Sequence, residues 1–248
     1  MAADLVTLGD SVHWGQGLRL EHKLHWLVHL EVLKSHPGLV HHFMAHSGAI
    51  IGIGATVTRQ RVDGEVPIAY PTLVEQVDGF AGSAANVVAV LVNGGINDID
   101  IRNILNPIVS QAALADLIEE HCYDSMRALL EIVVRRFDRA ETRVIVTPYY
   151  PVLSPLSRPF GIPWLLASEG LALPGGVDLV TGTNIVVAKC MQFWTESNAA
   201  LARAVTDANA ALAQPRIVLA DPGFTANNAV FAGEPWLFGL ANDPLLSP

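Results

Sequence analysis

The sequence predicts a three-layer α/β sandwich, with a parallel five-stranded sheet between layers of helices. Three observations carry that reading. Five short apolar runs of strand length recur along the 248 residues, most of them rich in β-branched side chains. Amphipathic stretches of helical length lie between them. The third run, Val87 to Val92, is apolar throughout, the pattern of a strand buried on both faces. Strands alternating with helices form parallel crossover units, and right-handed crossovers put helices on both sides of the sheet.

In chain order, the first run is Leu5-Val6-Thr7-Leu8, ending at Gly9-Asp10-Ser11. An amphipathic stretch from Glu21 to Lys34 follows, with Leu24, Leu27, Val28, Leu30 and Val32 mostly at helical spacing. The second run spans Leu39 to Ala45 and the third Val87 to Val92. Gln111 to Arg136 forms a long helical pattern, with Leu114, Leu117, Ile118, Met126, Leu129, Leu130 and Val133 recurring at three and four. The fourth run, Arg143 to Thr147, is stopped by Pro148. Thr183-Asn184 is placed to cap a helix running to about Ala213, and Arg216 to Ala220 is the fifth run. Segments 59–70 and 149–182 are rich in Pro and Gly, and 221–248 has no long periodic pattern. These read as loops rather than linkers, because no charge run or Ser/Gly spacer accompanies them, so a single domain over residues 1–248 is expected.

Composition narrows the function classes. Apolar residues make up 51% and charged residues 16%, which excludes a disordered chain. The net charge of −9 argues against nucleic acid and anionic membranes as partners, because neither gains counterion-release energy from an acidic surface. Two cysteines, Cys122 and Cys190, are too few for a disulfide framework and read as buried free thiols. No apolar segment is long enough to span a bilayer, and Met1-Ala2-Ala3-Asp4 lacks a basic leader, so the expected compartment is the cytoplasm.

In an open parallel sheet, ligands sit beyond the carboxyl ends of the strands, so the residues just after each run are the informative ones. Gly9-Asp10-Ser11 follows the first and exposes a hydroxyl on a tight strand-to-helix turn. His46-Ser47-Gly48 follows the second and offers a backbone N–H at a glycine. Gly94-Gly95-Ile96-Asn97-Asp98 follows the third and supplies a side-chain amide donor. A hydroxyl nucleophile with two backbone N–H groups and an amide converging on one point is an oxyanion-hole arrangement.

At these residues the chain resembles the SGNH (GDSL-type) hydrolase family, whose sheet is of the SGNH/flavodoxin-like kind. Gly9-Asp10-Ser11 matches the family's first block, in which the serine is the nucleophile. Gly48 stands at the oxyanion glycine of the second block, and Gly95-Ile96-Asn97-Asp98 matches the Gly-x-Asn-Asp of the third. The resemblance therefore implies an ester hydrolase for small-molecule acyl or carbohydrate esters, with Ser11, Gly48 and Asn97 as its catalytic set. No metal or organic cofactor is implied, because an acyl-enzyme route needs neither.

The resemblance breaks after the fifth strand. The family carries Asp-x-x-His there, with His as general base; this chain reads Asp221-Pro222-Gly223-Phe224, and its last histidine is His121. The tail also stops where the family supplies another helix. Three explanations stay open: a base in a C-terminal extension, a natural relic, or another group serving. The alternative function is a catalytically impaired SGNH-like binding module that holds a ligand in the old crevice.

Each site residue also has a plainer reading. Ser11 suits a helix N-cap, Asn97 a strained turn, and Gly48 a turn glycine. Asp10 and Asp98 read as hydrogen-bonding scaffolds for their turns. Eight of the nine histidines fall within the first 46 residues, and His22, His25 and His29 share one helix face; that is a solvated or partly buried face rather than a metal site, which needs a fourth ligand. His13 and His46 are expected to line the crevice mouth rather than replace the base. Gly52-Ile53-Gly54-Ala55-Thr56-Val57 begins like a dinucleotide fingerprint, but Val57 takes the third glycine's place. Trp14, Trp164, Trp236 and Phe238 either wall an acyl or sugar pocket or pack in the core.

Overall fold

In the computed structural model, which describes residues 2–15, 18–54 and 71–235, all five apolar runs are strands. They are β1 (Asp4–Thr7), β2 (Val40–Phe43), β3 (Val87–Val92), β4 (Arg143–Val146) and β5 (Ile217–Leu219). Every pairing is parallel, in the order β2-β1-β3-β4-β5. Leaving β1, the chain goes first to β2 on one side and then crosses back to β3 on the other. The carboxyl ends of β1 and β3 therefore flank the topological switch point, where a crevice opens in any sheet of this order.

The helices are α1 (Ser11–Trp14), α2 (Leu24–Leu33), α3 (Leu73–Asp78), α4 (Ile96–Ile99), α5 (Ile101–Leu105), α6 (Gln111–Ile118), α7 (Met126–Arg136), α8 (Ile162–Ser168) and α9 (Leu179–Ala210). Side chains alternate across the strands as the pleat requires. Val6, Val90, Val92, Val144, Val146 and Ile217 face the larger core, shared with α3, α6, α7 and α9. Leu5, Ala89 and Leu91 face a smaller one, closed by Val28, Val32 and Leu33 of α2. This second face is unevenly covered: Ile145 touches the small core, while its register neighbour Val218 on β5 is 51% exposed. Among the described residues, α2 is the helix on that face.

Several boundaries differ from the sequence reading for identifiable reasons. The expected helix from Glu21 is split, because Lys23 is extended (φ −74, ψ 133) between a 3₁₀ turn over Leu20–His22 and α2. The Gln111–Arg136 pattern is one continuous helical run, but Glu119–Ser125 is wound as π-helix. The last long helix starts before Thr183: Asp178 is its cap, accepting from the N–H groups of Val180 and Thr181, and it ends at Ala210. Aspartate at the cap also sits favourably against the helix dipole. The segment read as loop over 149–182 contains α8, introduced by Pro159 in a 3₁₀ turn.

The histidine-rich start of the chain packs as an aromatic seam between α2 and β2. His25 stacks on Phe43 (4.1 Å between ring centroids) and lies 5.3 Å from His41, while His29 stacks on His41 at 5.4 Å. His41 also shares a 2.9 Å hydrogen bond with the Thr7 hydroxyl. The face is partly buried, as expected: His22 is exposed, His29 half-buried and His25 buried. No group of three or more His, Cys, Asp or Glu is placed to hold a metal among the described residues. Burial lowers the pKa of both His25 and His41 to about 4; neighbouring positive charge adds to it, from Lys23 and His29 at His25, and from His25, His29 and His42 at His41.

Candidate active site

Three turns leave the carboxyl ends of β1, β2 and β3, and hydrogen bonds join them. Gly9, after β1, has φ +148; a Cβ there would lie 2.1 Å from Asn93 Oδ1 and 2.9 Å from His13 Nδ1, so only glycine lets the chain turn this close to β3. The Gly9 N–H donates to Gln76 Oε1 (2.8 Å), and Gln76 Nε2 returns a bond to the Gly9 carbonyl (3.0 Å). Asp10 is the helix cap that Ser11 was free to be: its Oδ1 accepts from the Val12 N–H at 2.9 Å. Ser11 opens α1, half-buried, and its hydroxyl has no hydrogen-bond partner among the described residues. A cap used by Asp10 leaves the serine oxygen uncommitted.

The second turn is tied to the first by the His46 N–H donating to the Gly9 carbonyl (2.9 Å). Gly48 has φ +76 and is half-buried. The third turn begins at Gly95, φ +120, where a Cβ would meet Cys122 Sγ at 3.1 Å. The π-helical turn thus presses the Cys122 sulfur against the start of α4. Asn97 Nδ2 donates to the Ala49 carbonyl at 2.9 Å, next to Gly48. A primary amide has two N–H bonds, so fixing one on Ala49 also fixes the direction of the other. Both Asp98 oxygens accept from the Ile51 N–H (3.1 Å). Asp10 therefore scaffolds its own turn, as expected, whereas Asp98 ties α4 to the chain beyond the second turn at Ile51.

Gly95→Ala is expected to destabilise the fold by about 1–3 kcal/mol, from the left-handed backbone and the sulfur contact. Urea unfolding measures it; an unchanged midpoint would show that α4 does not need this turn.

Around these turns lies a buried polar set that the sequence reading missed. The Asp10 N–H donates to Asn93 Oδ1 (3.2 Å), and Asn93 Nδ2 donates to Asp10 Oδ1 (2.7 Å). The Tyr149 hydroxyl donates to Asp10 Oδ2 (3.1 Å) and accepts from the Ile96 N–H (3.0 Å). Burial pushes the Asp10 carboxyl up, opposed by its bonds from Val12, Asn93 and Tyr149; burial likewise raises the Tyr149 phenol well above its usual value. The available signal was positional: Asn93 and Tyr149 each stand just beyond a strand's end.

His13 does not line the mouth. It is fully buried, with Nδ1 2.7 Å from the Leu8 carbonyl and Nε2 2.8 Å from the Thr147 hydroxyl. A carbonyl only accepts, so Nδ1 carries the proton and Nε2 accepts from Thr147. Both nitrogens are engaged, which removes His13 as a base for Ser11. His46 stacks on Trp14 (4.8 Å), and Trp14 packs on Phe43 (5.5 Å). Trp14 thus belongs to α1 rather than a loop, and Trp164 lies on α8. After β5, Phe224 stands three residues beyond Asp221, where the resemblance expects histidine, with its ring edge-on to Tyr150 at 5.8 Å. Trp236, Phe238 and the Ala55–Val57 end of the glycine-rich segment lie outside the described residues.

Burial lowers the His13 pKa to about 4, as it does for His25 and His41. The unfolded chain, with imidazoles near ~6.5, therefore takes up protons first as the pH drops. Stability is fully present above about pH 6.5 and is lost as the pH falls toward 4, with a slope of ~1.4 kcal/mol per pH unit for each imidazole held neutral. The urea midpoint is expected to be clearly lower at pH 5 than at pH 7. Equal midpoints would contradict the burial of these rings.

The sheet order defines the class: a doubly wound, three-layer α/β fold. No protein-family model and no curated protein matches the sequence. Among solved structures, the chain is similar to phospholipase A1 from Streptomyces albidoflavus NA297, at 14% identity and a TM-score of 0.51 over 96% of this chain and 87% of that one. It is also similar to the lipase Lip_vut3 from a goat rumen metagenome, at 15% identity and a TM-score of 0.50 over 89% of this chain and 80% of that one. At such identities the likeness establishes the fold, which is that of these ester hydrolases.

Proposed function

We propose that the protein is an ester hydrolase of the SGNH type, one domain acting on small-molecule esters with Ser11 as nucleophile. The observation that supports this reading is the joining of the three turns that carry Ser11, Gly48 and Asn97, by hydrogen bonds from His46 to Gly9, between Asp10 and Asn93, and from Asn97 to Ala49. The fold shared with a lipase and a phospholipase supports it.

In this reading the Ser11 oxygen attacks the acyl carbonyl. The Ser11 and Gly48 N–H groups and the second Asn97 N–H stabilise the oxyanion, each donor of this kind being worth ~3 kcal/mol in the barrier. The alcohol departs, and water then releases the acyl group from Ser11. The serine proton needs an acceptor. His13 is committed elsewhere, and Phe224 stands where the resemblance expects the base.

Hydrolysis of short p-nitrophenyl esters is therefore expected to be slow, because a general base contributes ~10²–10⁴-fold. The residual rate is expected to vanish in Ser11→Ala. A rate that survives Ser11→Ala overturns the assignment of the nucleophile.

A further inference from the structure

Tyr149 is among the most heavily anchored side chains beside the turns after β1 and β3. Its backbone is clamped from α9, with its N–H donating to Asn198 Oδ1 (3.0 Å) and its carbonyl accepting from Asn198 Nδ2 (3.0 Å). Its ring is 1% exposed and packs 5.5 Å from Phe193. At the far end, its hydroxyl meets two turns at once. It donates to Asp10 Oδ2, on the residue before Ser11, and accepts from the N–H of Ile96, the residue before Asn97. The phenol thereby links the residue clamped by α9 to both turns.

We propose that Tyr149 is a positioning residue that sets the spacing between the Ser11 turn and the Asn97 turn, its hydroxyl acting as a strut between them. The inference rests on the hydrolase reading for its catalytic consequence, though not for its structural one. A nucleophile and an oxyanion donor on separate turns work together only when their separation is fixed, and a misplacement of about 1 Å costs on the order of 10²-fold in rate. The other links between these loops do not supply that distance. Asn97 is tied to the second turn through Ala49, and Asp10 to the end of β3 through Asn93. Only the Tyr149 hydroxyl, among the hydrogen bonds of the described residues, spans from the Ser11 turn to the α4 residue adjoining Asn97. The geometry also explains the proton arrangement: Asp10 offers only acceptors and the Ile96 N–H only a donor, so one hydroxyl satisfies both and phenylalanine satisfies neither.

Tyr149→Phe keeps the ring and its packing and removes only the strut. On p-nitrophenyl acetate the variant is expected to lose about 10- to 100-fold in kcat, with KM changed less than about twofold. In an Asn97→Ala background, where there is no oxyanion amide left to position, the same change is expected to cost less than about threefold. A residue serving stability alone gives equal losses in both backgrounds, and that result overturns the proposal. Amide hydrogen exchange supplies an arm independent of catalysis. In Tyr149→Phe the Ile96 amide is expected to exchange at least about tenfold faster, with the β3 amides unchanged; unaltered Ile96 exchange overturns the strut whatever the kinetics show. If Tyr149→Phe does not fold, Asn198→Ala, which frees the backbone clamp and keeps the hydroxyl, takes its place with a smaller effect in the same direction. Absence of any Ser11-dependent hydrolysis in the unaltered protein counts against the hydrolase reading, and the exchange arm then judges the strut by itself.

Discussion

Asn97→Ala is expected to lower the rate of ester hydrolysis by ~10²–10³-fold while leaving ground-state binding almost unchanged. The magnitude is that of one oxyanion donor removed from a preorganised site. The split follows from when the bond forms: the carbonyl oxygen moves onto the donors as it gains charge, so the lost interaction belongs to the transition state. The same variant separates the two functions the sequence leaves open. In a binding module the amide meets a bound group directly, and its removal weakens affinity by ~1–3 kcal/mol. The variant also loses the bond to the Ala49 carbonyl that joins the second and third turns. Thermal unfolding run in parallel separates that structural loss from the catalytic one. A folded Asn97→Ala protein with an unchanged rate would remove Asn97 from the mechanism.

Gly9→Ala is expected to be strongly destabilising. A Cβ at that position sits 2.1 Å from Asn93 Oδ1, far inside contact distance, and 2.9 Å from His13 Nδ1. Neither neighbour is free to move. Asn93 is held by two bonds to Asp10, and His13 by Leu8 and Thr147. Relief requires breaking one of these pairs inside the core, where an unpaired polar group costs ~1–3 kcal/mol, and the φ of +148 adds strain. Together they place the expected loss at ~3–5 kcal/mol, at the upper end for a point change. Gly175→Ala is the control: nothing lies within 4 Å of its added Cβ and its φ is not in the left-handed range. Its unfolding midpoint is expected to stay within ~0.5 kcal/mol of the unaltered protein. Equal stabilities for the two variants would mean that the β1 turn is looser than its contacts indicate.

The parts of the fold that follow local rules were legible in the sequence. Each strand announced itself as an apolar run, and Gly9, Gly48 and Gly95 punctuated the ends at which the site is built. What depends on distant partners was not. Asp10 and Tyr149 are 139 residues apart, and Gly9 and Gln76 are 67 apart; no periodicity links them. His13 looked like a crevice residue because it follows Ser11 by two, yet one turn of helix buries it against the Thr147 hydroxyl just beyond β4. Thr183 and Asn184 have good capping chemistry, but Asp178 has it too and stands earlier, and the buried face of α9 already includes Gly182, Thr183 and Val186. The uneven covering of the sheet was invisible for a different reason. Val218 has the composition of a buried strand residue, and nothing in that composition says how much of it a neighbouring helix covers.

A Ser11 hydroxyl that acts as a nucleophile facing an oxyanion site is open to covalent labelling. A fluorophosphonate ester carries its own activated electrophile and traps a serine at a preformed oxyanion hole even when turnover is slow. Intact-mass measurement after prolonged incubation is expected to show one phosphonyl group per chain, peptide mapping is expected to place it on Ser11, and Ser11→Ala is expected to remain unlabelled. A protein that stays unmodified, or that carries the group on another residue with Ser11 free, would show that Ser11 is not the nucleophile.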